Sequence, residues 1–273
     1  MASHRNNTLS QQLKDRIQTA AATWAADNSL PHYNSNGSPG VVMFQPHAKG
    51  HGNFEAQSWT AIHSNPDWQT RLTKPHSQRQ ALPEPQAATA AELDSSNSSD
   101  ALLMNVFCHS GMEALLNGLK LPQQAHGSVI EFGFLARVQK RLGLDRTEVD
   151  LRFGALFLEA KLTETDFTAK AKPQVDDYSA FHTTFHAAHL PQDATHYMTY
   201  QLIRNVLAAQ QHGTDFVTLI DASRTDLATA WTDTVNAVLC SRLRSRCHLR
   251  TWQEVKAAAG PVLASFLEHK YGI

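Results

Sequence analysis

The chain has 273 residues, 42% of them apolar, enough for one sizeable core or for a core with an appendage. Its formal charge of -1 excludes a global basic field, so any nucleic-acid surface must be local. Cys108, Cys240 and Cys247 form neither a paired framework nor a CxxC, which excludes a disulfide scaffold and fits a reducing compartment.

The opening "MASHRNNTLSQQLKDR" lacks an apolar signal region, and no window approaches the roughly 18 apolar residues of a membrane span. The expected location is the cytoplasm, with no membrane partner. Residues 10–26 predict a helix, whereas 27–83, rich in His, Asn, Gly, Pro and Gln, predict an irregular segment that wraps the core. Residues 82–100 read as a linker ending in a cap at Ser98, Ser99 or Asp100, before a helix over about 100–119.

After the break from Pro122 to Gly127 comes the strand "SVIEFGF", then a short basic helix-like piece, "ARVQKRLG". "RTEVDLRFGALFLEAKLTE", residues 146–164, reads as strand, turn and strand. Residues 165–195 are irregular to helical, "THYMTYQLIRNVLAAQQHG" is an amphipathic helix, and "DFVTLID" is a buried strand. Helices over 226–243 and 252–269 complete the chain. This order predicts an α/β or α+β fold, with a mixed central sheet beginning near residue 128 and flanked by helices. The expected division is an irregular to helical extension over 1–97 and a core over 98–273.

Gly154-Ala155 suits a two-residue hairpin turn with Gly first, as a type II′ turn prefers. Phe153 then pairs with Leu156, Leu151 with Leu158, and Asp150 with Glu159. Alternation puts Asp150, Glu159 and Lys161 on one face and Val149, Leu151, Phe153, Leu156, Leu158 and Ala160 on the other. Opposed like charges repel, so something must neutralise the two carboxylates. A hard divalent cation such as Mg²⁺ does this with carboxylates, waters and substrate phosphate oxygens, and Lys161 could then contact the scissile phosphate or orient water. The plainer alternative is a solvated face on which Glu148 pairs with Lys161.

Asp150, the strand "LFLEAK" and the E-A-K triplet resemble the core motif of the PD-(D/E)XK nuclease superfamily, the restriction-endonuclease-like fold. "IEFGF", "RTEVDLRFGALFLEAKLTETDF" and "YQLIRNVLA" together are similar to a family of bacterial restriction-endonuclease-like proteins. The resemblance spans roughly 98–255 and is sharpest at E-A-K; Val149 stands where the motif often has proline. It implies a restriction-endonuclease-like core in which Asp150 and Glu159 hold Mg²⁺ or Mn²⁺. It also implies that the Ala160 carbonyl adds a third oxygen, that Glu131 is an additional acid near the metal, and that Lys161 is the catalytic lysine.

On the helix after the motif, Gln201, Arg204, Asn205 and Ala208 share one face, with Arg204 and Gln201 able to grip a phosphate or brace an acidic cluster. Related nucleases carry a Gln on this helix, and Asn205 replaces a Tyr found in some subfamilies. A solvated helix face is the alternative. His182, His186 and His189 fall at i, i+4 and i+7, a spacing that could bind zinc on a helix. Arg242, Arg244, Arg246 and Arg250, and the run Arg137, Lys140, Arg141 and Arg146, could track a phosphate backbone or simply be solvated. No G-x-S-x-G elbow and no G-x-x-x-x-G-K-[ST] loop occurs in the sequence, so neither an esterase nor a fused ATPase is read.

The expected activity is metal-dependent hydrolysis of phosphodiester bonds with nucleic acid, foremost DNA, as substrate. A homodimer is compatible, because single-site nucleases that cut both strands often pair. Two other classes stay open: a non-cutting nucleic-acid-binding or interaction protein on the same fold, and a zinc-stabilised structural protein.

Overall fold

The computed structural model of the chain describes residues 2–48 and 50–273, with the side chains of 2–8 excepted. By compactness the chain forms two units, one of residues 1–123 with 252–273 and one of residues 124–251. The last helices group with the first unit.

The first unit opens with α1 (Ala2–Asp27), whose buried Leu13, Ile17, Ala21 and Ala25 follow one another at i, i+4 as an amphipathic helix requires. Ala21 and Ala25 pack on Val42 and Phe44 of β2 (Val42–Phe44), which pairs antiparallel with β1 (His32–Asn34). The segment expected to be irregular also contains two short helices. α2 (Ala56–His63) is capped by Glu55, which accepts from the N–H of Gln57 and Ser58, and α3 (Pro66–Leu72) is capped by Asn65 with Pro66 in its first turn.

α4 (Ser99–Phe107) starts at the predicted cap, the Ser98 hydroxyl accepting from Ala101 N–H at 3.1 Å. The helix expected to run to 119 breaks at Cys108–Gly111. Gly111 takes a φ of 94°, which glycine adopts without penalty, and α5 (Met112–Gly118) begins a new axis.

The second unit is built on a five-stranded mixed sheet. In chain order its strands are β3 (Ile130–Leu135), β4 (Glu148–Phe153), β5 (Leu156–Ala160), β6 (Asp215–Ile220) and β7 (Cys247–Thr251). Their spatial order is β7-β6-β5-β4-β3, with β3, β4 and β5 antiparallel and β6 parallel to both β5 and β7. Parallel neighbours need a crossover, and α6 (Tyr200–His212) supplies it between β5 and β6. Leu202, Ile203, Val206 and Leu207 of α6 enter the core that contains Phe157 and Phe216.

Helix α7 (Thr225–Asn236) joins β6 to β7, ending before the 243 expected of it, with only a single turn over Ser241–Arg244 beyond. "ARVQKRLG" is not helical: Arg137 has a φ of 49°, and Gln139 and Lys140 form isolated bridges with Leu144 and Tyr178. Back in the first unit, the helix expected over 252–269 is two, α8 (Trp252–Ala258) and α9 (Pro261–Tyr271), split at Gly260-Pro261. Phe266 of α9 meets the edge of Trp24 of α1, with ring centroids 5.6 Å apart.

The hairpin has the predicted register, with Phe153↔Leu156, Arg152↔Phe157 and Leu151↔Leu158. Gly154 has a φ of 54°, as the first position of a type II′ turn needs. A Cβ there would also meet Gln124 Oε1 at 2.6 Å and Ser128 Oγ at 2.9 Å. Gly154→Ala is therefore expected to cost roughly 1–3 kcal/mol in chemical denaturation, from strain at one turn. Burial along β4 alternates as predicted, with Val149, Leu151 and Phe153 buried, and Val149 belongs to the same core cluster as Phe157.

Candidate active site

Glu159 lies near the C-terminal end of β5, beside Thr218 on β6 and under α6, and only 1% of it is exposed. A carboxylate buried so deeply needs partners, and three cationic or amide groups provide them. Lys161 Nζ is 2.9 Å from Oε1, Asn205 Nδ2 donates to Oε2 at 2.7 Å, and an Arg204 terminal nitrogen lies 3.8 Å from Oε2. Arg204 in turn donates through Nε and its terminal amine to Asn205 Oδ1, at 3.1 and 2.8 Å.

The solvated-face alternative does not survive this burial. Lys161, Arg204 and Asn205 are all buried, and Lys161 pairs with Glu159, while Glu148 is exposed. Arg204 and Asn205 thus face the protein interior and brace an acid. Gln201, on the same helix, stands apart from that pair. Its backbone N–H donates to Phe167 carbonyl at 3.0 Å, and its Oε1 accepts from Thr168 Oγ1 at 3.2 Å.

Asp150 and Glu159 are not joined as a ladder pair. The ladder runs as far as Leu151↔Leu158, and Asp150 Oδ2 then accepts the Ala160 N–H at 2.8 Å. Successive residues of a strand send their backbone groups to opposite neighbours. Lys161 N–H donates to Leu219 carbonyl on β6 at 2.8 Å, so the Ala160 peptide groups belong to the β4 side, with Asp150. One carboxylate and one carbonyl therefore share an edge, with the Glu159 carboxylate on the neighbouring residue. Glu131 is placed opposite Arg152, two residues along β4 from Asp150, and forms an ion pair with it at 3.3 Å.

Burial opposes the charge on Glu159, yet Lys161, Arg204 and Asn205 outweigh it and hold the carboxyl below its ordinary range. Burial likewise opposes the charge on Lys161, but Glu159, Glu164 and Asp150 together raise its pKa above that of an ordinary lysine. Lys161 is thus an ammonium throughout the neutral range. In that form it can stabilise negative charge or position water. Glu164, whose Oε2 accepts from Leu162 N–H at 2.6 Å, is an acid near this lysine that the sequence reading did not single out.

A second group missed in the sequence is centred on Asp145. It accepts from the Thr147 backbone at 2.7 Å, from the hydroxyls of Thr147 and Tyr178, and from the Tyr200 hydroxyl at 3.2 Å. Burial works against its charge, but these bonds and the nearby Arg204 keep its carboxyl below the ordinary range. Arg204 therefore lies in the field of two buried acids, Asp145 and Glu159. A carboxyl depressed on folding contributes stability that is complete above its unfolded pKa of about 4 and is lost as pH falls through the folded value. Asp145→Asn should accordingly lose roughly 1–3 kcal/mol at pH 7, and the deficit should shrink toward pH 2 in denaturation curves.

Hard oxygens are the donors available here: the Asp150 and Glu159 carboxylates and the Ala160 carbonyl. Among the described residues no group of three or more His, Cys, Asp or Glu could cage a metal. That donor set fits a hard divalent ion, which typically takes one or two carboxylates and keeps sites for water and substrate phosphate. It does not fit zinc. His182, His186 and His189 are exposed, the helix carrying His182 ends at Thr184, and His186 stacks on His189 with centroids 3.8 Å apart. Of the arginines of 242–250, Arg242 and Arg244 lie on the single turn Ser241–Arg244 and Arg250 on β7; Arg244 donates to Val238 carbonyl and Arg250 to Leu249 carbonyl.

No helix among the described residues is long and apolar enough to cross a membrane. No curated protein and no solved structure matches the chain. A family model described as Restriction Endonuclease associating with ARP matches residues 19–272, which takes in both units and the whole Glu159 cluster. A restriction-endonuclease-like family implies nuclease activity and interaction with nucleic acid, in keeping with the mixed sheet flanked by helices and the E-A-K strand at its centre. By that match the chain belongs to the family Restriction Endonuclease associating with ARP.

Proposed function

We propose that the chain is a Mg²⁺-dependent nuclease that hydrolyses phosphodiester bonds in DNA, with its centre at Asp150, Glu159 and Lys161. The observation that carries this reading is a buried lysine held as an ammonium among three carboxylates, on the strand next to Asp150 and the Ala160 peptide. Asp150, Glu159 and the Ala160 carbonyl would hold the ion, with Mn²⁺ as a substitute. Bound there, it would polarise the phosphoryl oxygen and acidify the attacking water.

Lys161 would place its charge beside the phosphoryl group as negative charge develops. Arg204 would act through Glu159, fixing the carboxylate that Asn205 also grips, and Gln201 would be the helix residue left to meet substrate. Glu131 would assist from the neighbouring strand, once released from Arg152. The family description names an association with ARP, and this chain would share that partner. A cytoplasmic location and action as a homodimer complete the proposal.

The close engagement of Glu159 by Lys161, Asn205 and Arg204 also favours a second reading, a nucleic-acid-binding protein in which the cluster is a structural ion network. Incubating purified protein with linear, supercoiled and single-stranded DNA, and with RNA, in Mg²⁺, Mn²⁺ or EDTA separates the two. Cutting that needs the metal supports the nuclease. Binding without cutting in any condition supports the binder.

A further inference from the structure

A cavity of about 440 Å³ in the second unit is lined by Lys140, Asp145, Lys170, Gln174, Asp177 and Tyr200, together with Thr147 and Pro173. Its acids are already engaged. Asp145 accepts from Thr147, Tyr178 and Tyr200, and Asp177 lies 3.5 Å from the Arg141 guanidinium.

Its lysines are not. Lys140 Nζ sits 4.8 Å from the centre of the Tyr178 ring, and Lys170 Nζ 5.3 Å from that of Tyr200. Among the described residues neither ammonium has a carboxylate or a hydrogen-bond acceptor. The two rings are locked together, since the Tyr178 and Tyr200 hydroxyls are 2.9 Å apart and both reach Asp145. A rigid aromatic pedestal thus holds two unpaired ammonium groups at one cavity, which calls for an anion.

The cavity also has a fixed relation to Glu159. Tyr200 and Arg204 are four residues apart on α6, a rise of about 6 Å, so the cavity opens one turn before the arginine that braces the acid. We propose that it is a phosphate-binding subsite that takes a backbone phosphate of the bound strand next to the scissile one. Lys140 and Lys170 supply charge to its oxygens and the Gln174 amide supplies a hydrogen bond. The inference rests on the nucleolytic reading for the identity of the phosphate.

The test is equilibrium binding of a short oligonucleotide, single-stranded and duplex, in EDTA across a salt series, comparing wild type with Lys140→Gln/Lys170→Gln. Both lysines are half-buried and outside the Glu159 cluster, so the variant should fold. The double variant should bind about tenfold more weakly, and its salt slope should fall by about 1, uniformly across sequences. Unchanged affinity and slope, with wild type binding well, would overturn the subsite and leave the nuclease reading intact. If wild type binds no nucleic acid in EDTA, the nuclease reading is decided by the cleavage assay in Mg²⁺, and inorganic pyrophosphate decides the subsite. Protection of Lys140 and Lys170 from amine acylation by pyrophosphate retains a phosphate site, and no protection removes it.

Discussion

Glu159→Ala is expected to abolish cleavage and, at the same time, to lower the stability of the folded chain by roughly 3–5 kcal/mol. From the hairpin pattern alone, this substitution would remove a metal ligand and a phosphate repeller together, abolishing cleavage while DNA binding is retained or strengthened. The structure changes that expectation. Glu159 is the shared counter-charge of Lys161 and Arg204, and all three are buried. Removing it takes one counter-charge from two buried cations at once, leaving Lys161 to Asp150 and Glu164 and Arg204 to Asp145 in a low-dielectric interior. Glu159→Gln keeps the volume and the bond from Asn205, so it should fold better than the alanine variant while cleaving no faster. Urea denaturation and plasmid cleavage, run on both variants, check the two halves of the prediction. An alanine variant as stable as wild type would contradict the burial account.

Lys161→Ala should lower the cleavage rate by on the order of 10²–10³, the usual cost of removing one group that stabilises transition-state charge. Its effect on stability should be smaller than that of Glu159→Ala, because Arg204 and Asn205 stay on the carboxylate it abandons. A pH signature accompanies the rate loss. The raised pKa of Lys161 means that its contribution to stability is complete below the ordinary lysine value of about 10.4 and is lost only as pH rises through the higher folded value. Lys161→Arg keeps the charge but replaces a compact ammonium with a planar fork, and it should recover only part of the rate. A Lys161→Ala variant that cuts at the wild-type rate would remove the lysine from the chemistry.

Much of this arrangement was legible from short-range signals. The Gly154-Ala155 turn set the hairpin register, and the apolar run "DFVTLID" was a buried strand. The cap at Ser98 and the helix carrying Gln201 and Arg204 also lie where their sequence cues put them. Breaks inside helices were underweighted. "CHSG" and "AGP" each end one axis and start another, through a left-handed Gly111 and through Pro261.

Residue type allowed Arg204 to brace an acidic cluster, but a 3.6-residue period alone could not decide between that inward turn and a solvated face. That pattern separates polar from apolar faces but assumes that the polar one meets water, and a buried acid on the facing strand reverses the assumption. The local signal at Asp145 reached only as far as Thr147, two residues on. The acid sits in the basic run "RLGLDR", and two of its partners, Tyr178 and Tyr200, come from 33 and 55 residues further along the chain. Lys170 gains its meaning only from the ring beneath it.

The central claim is that the cluster of Asp150, Glu159 and Lys161 cuts phosphodiester bonds with a divalent ion. Its most direct test is cleavage of supercoiled plasmid by wild type and Lys161→Ala side by side, in Mg²⁺ and in EDTA, with both proteins shown to be folded. The account predicts nicked or linear product only for wild type in Mg²⁺. Intact plasmid in every lane, or equal cutting by both proteins, would contradict it.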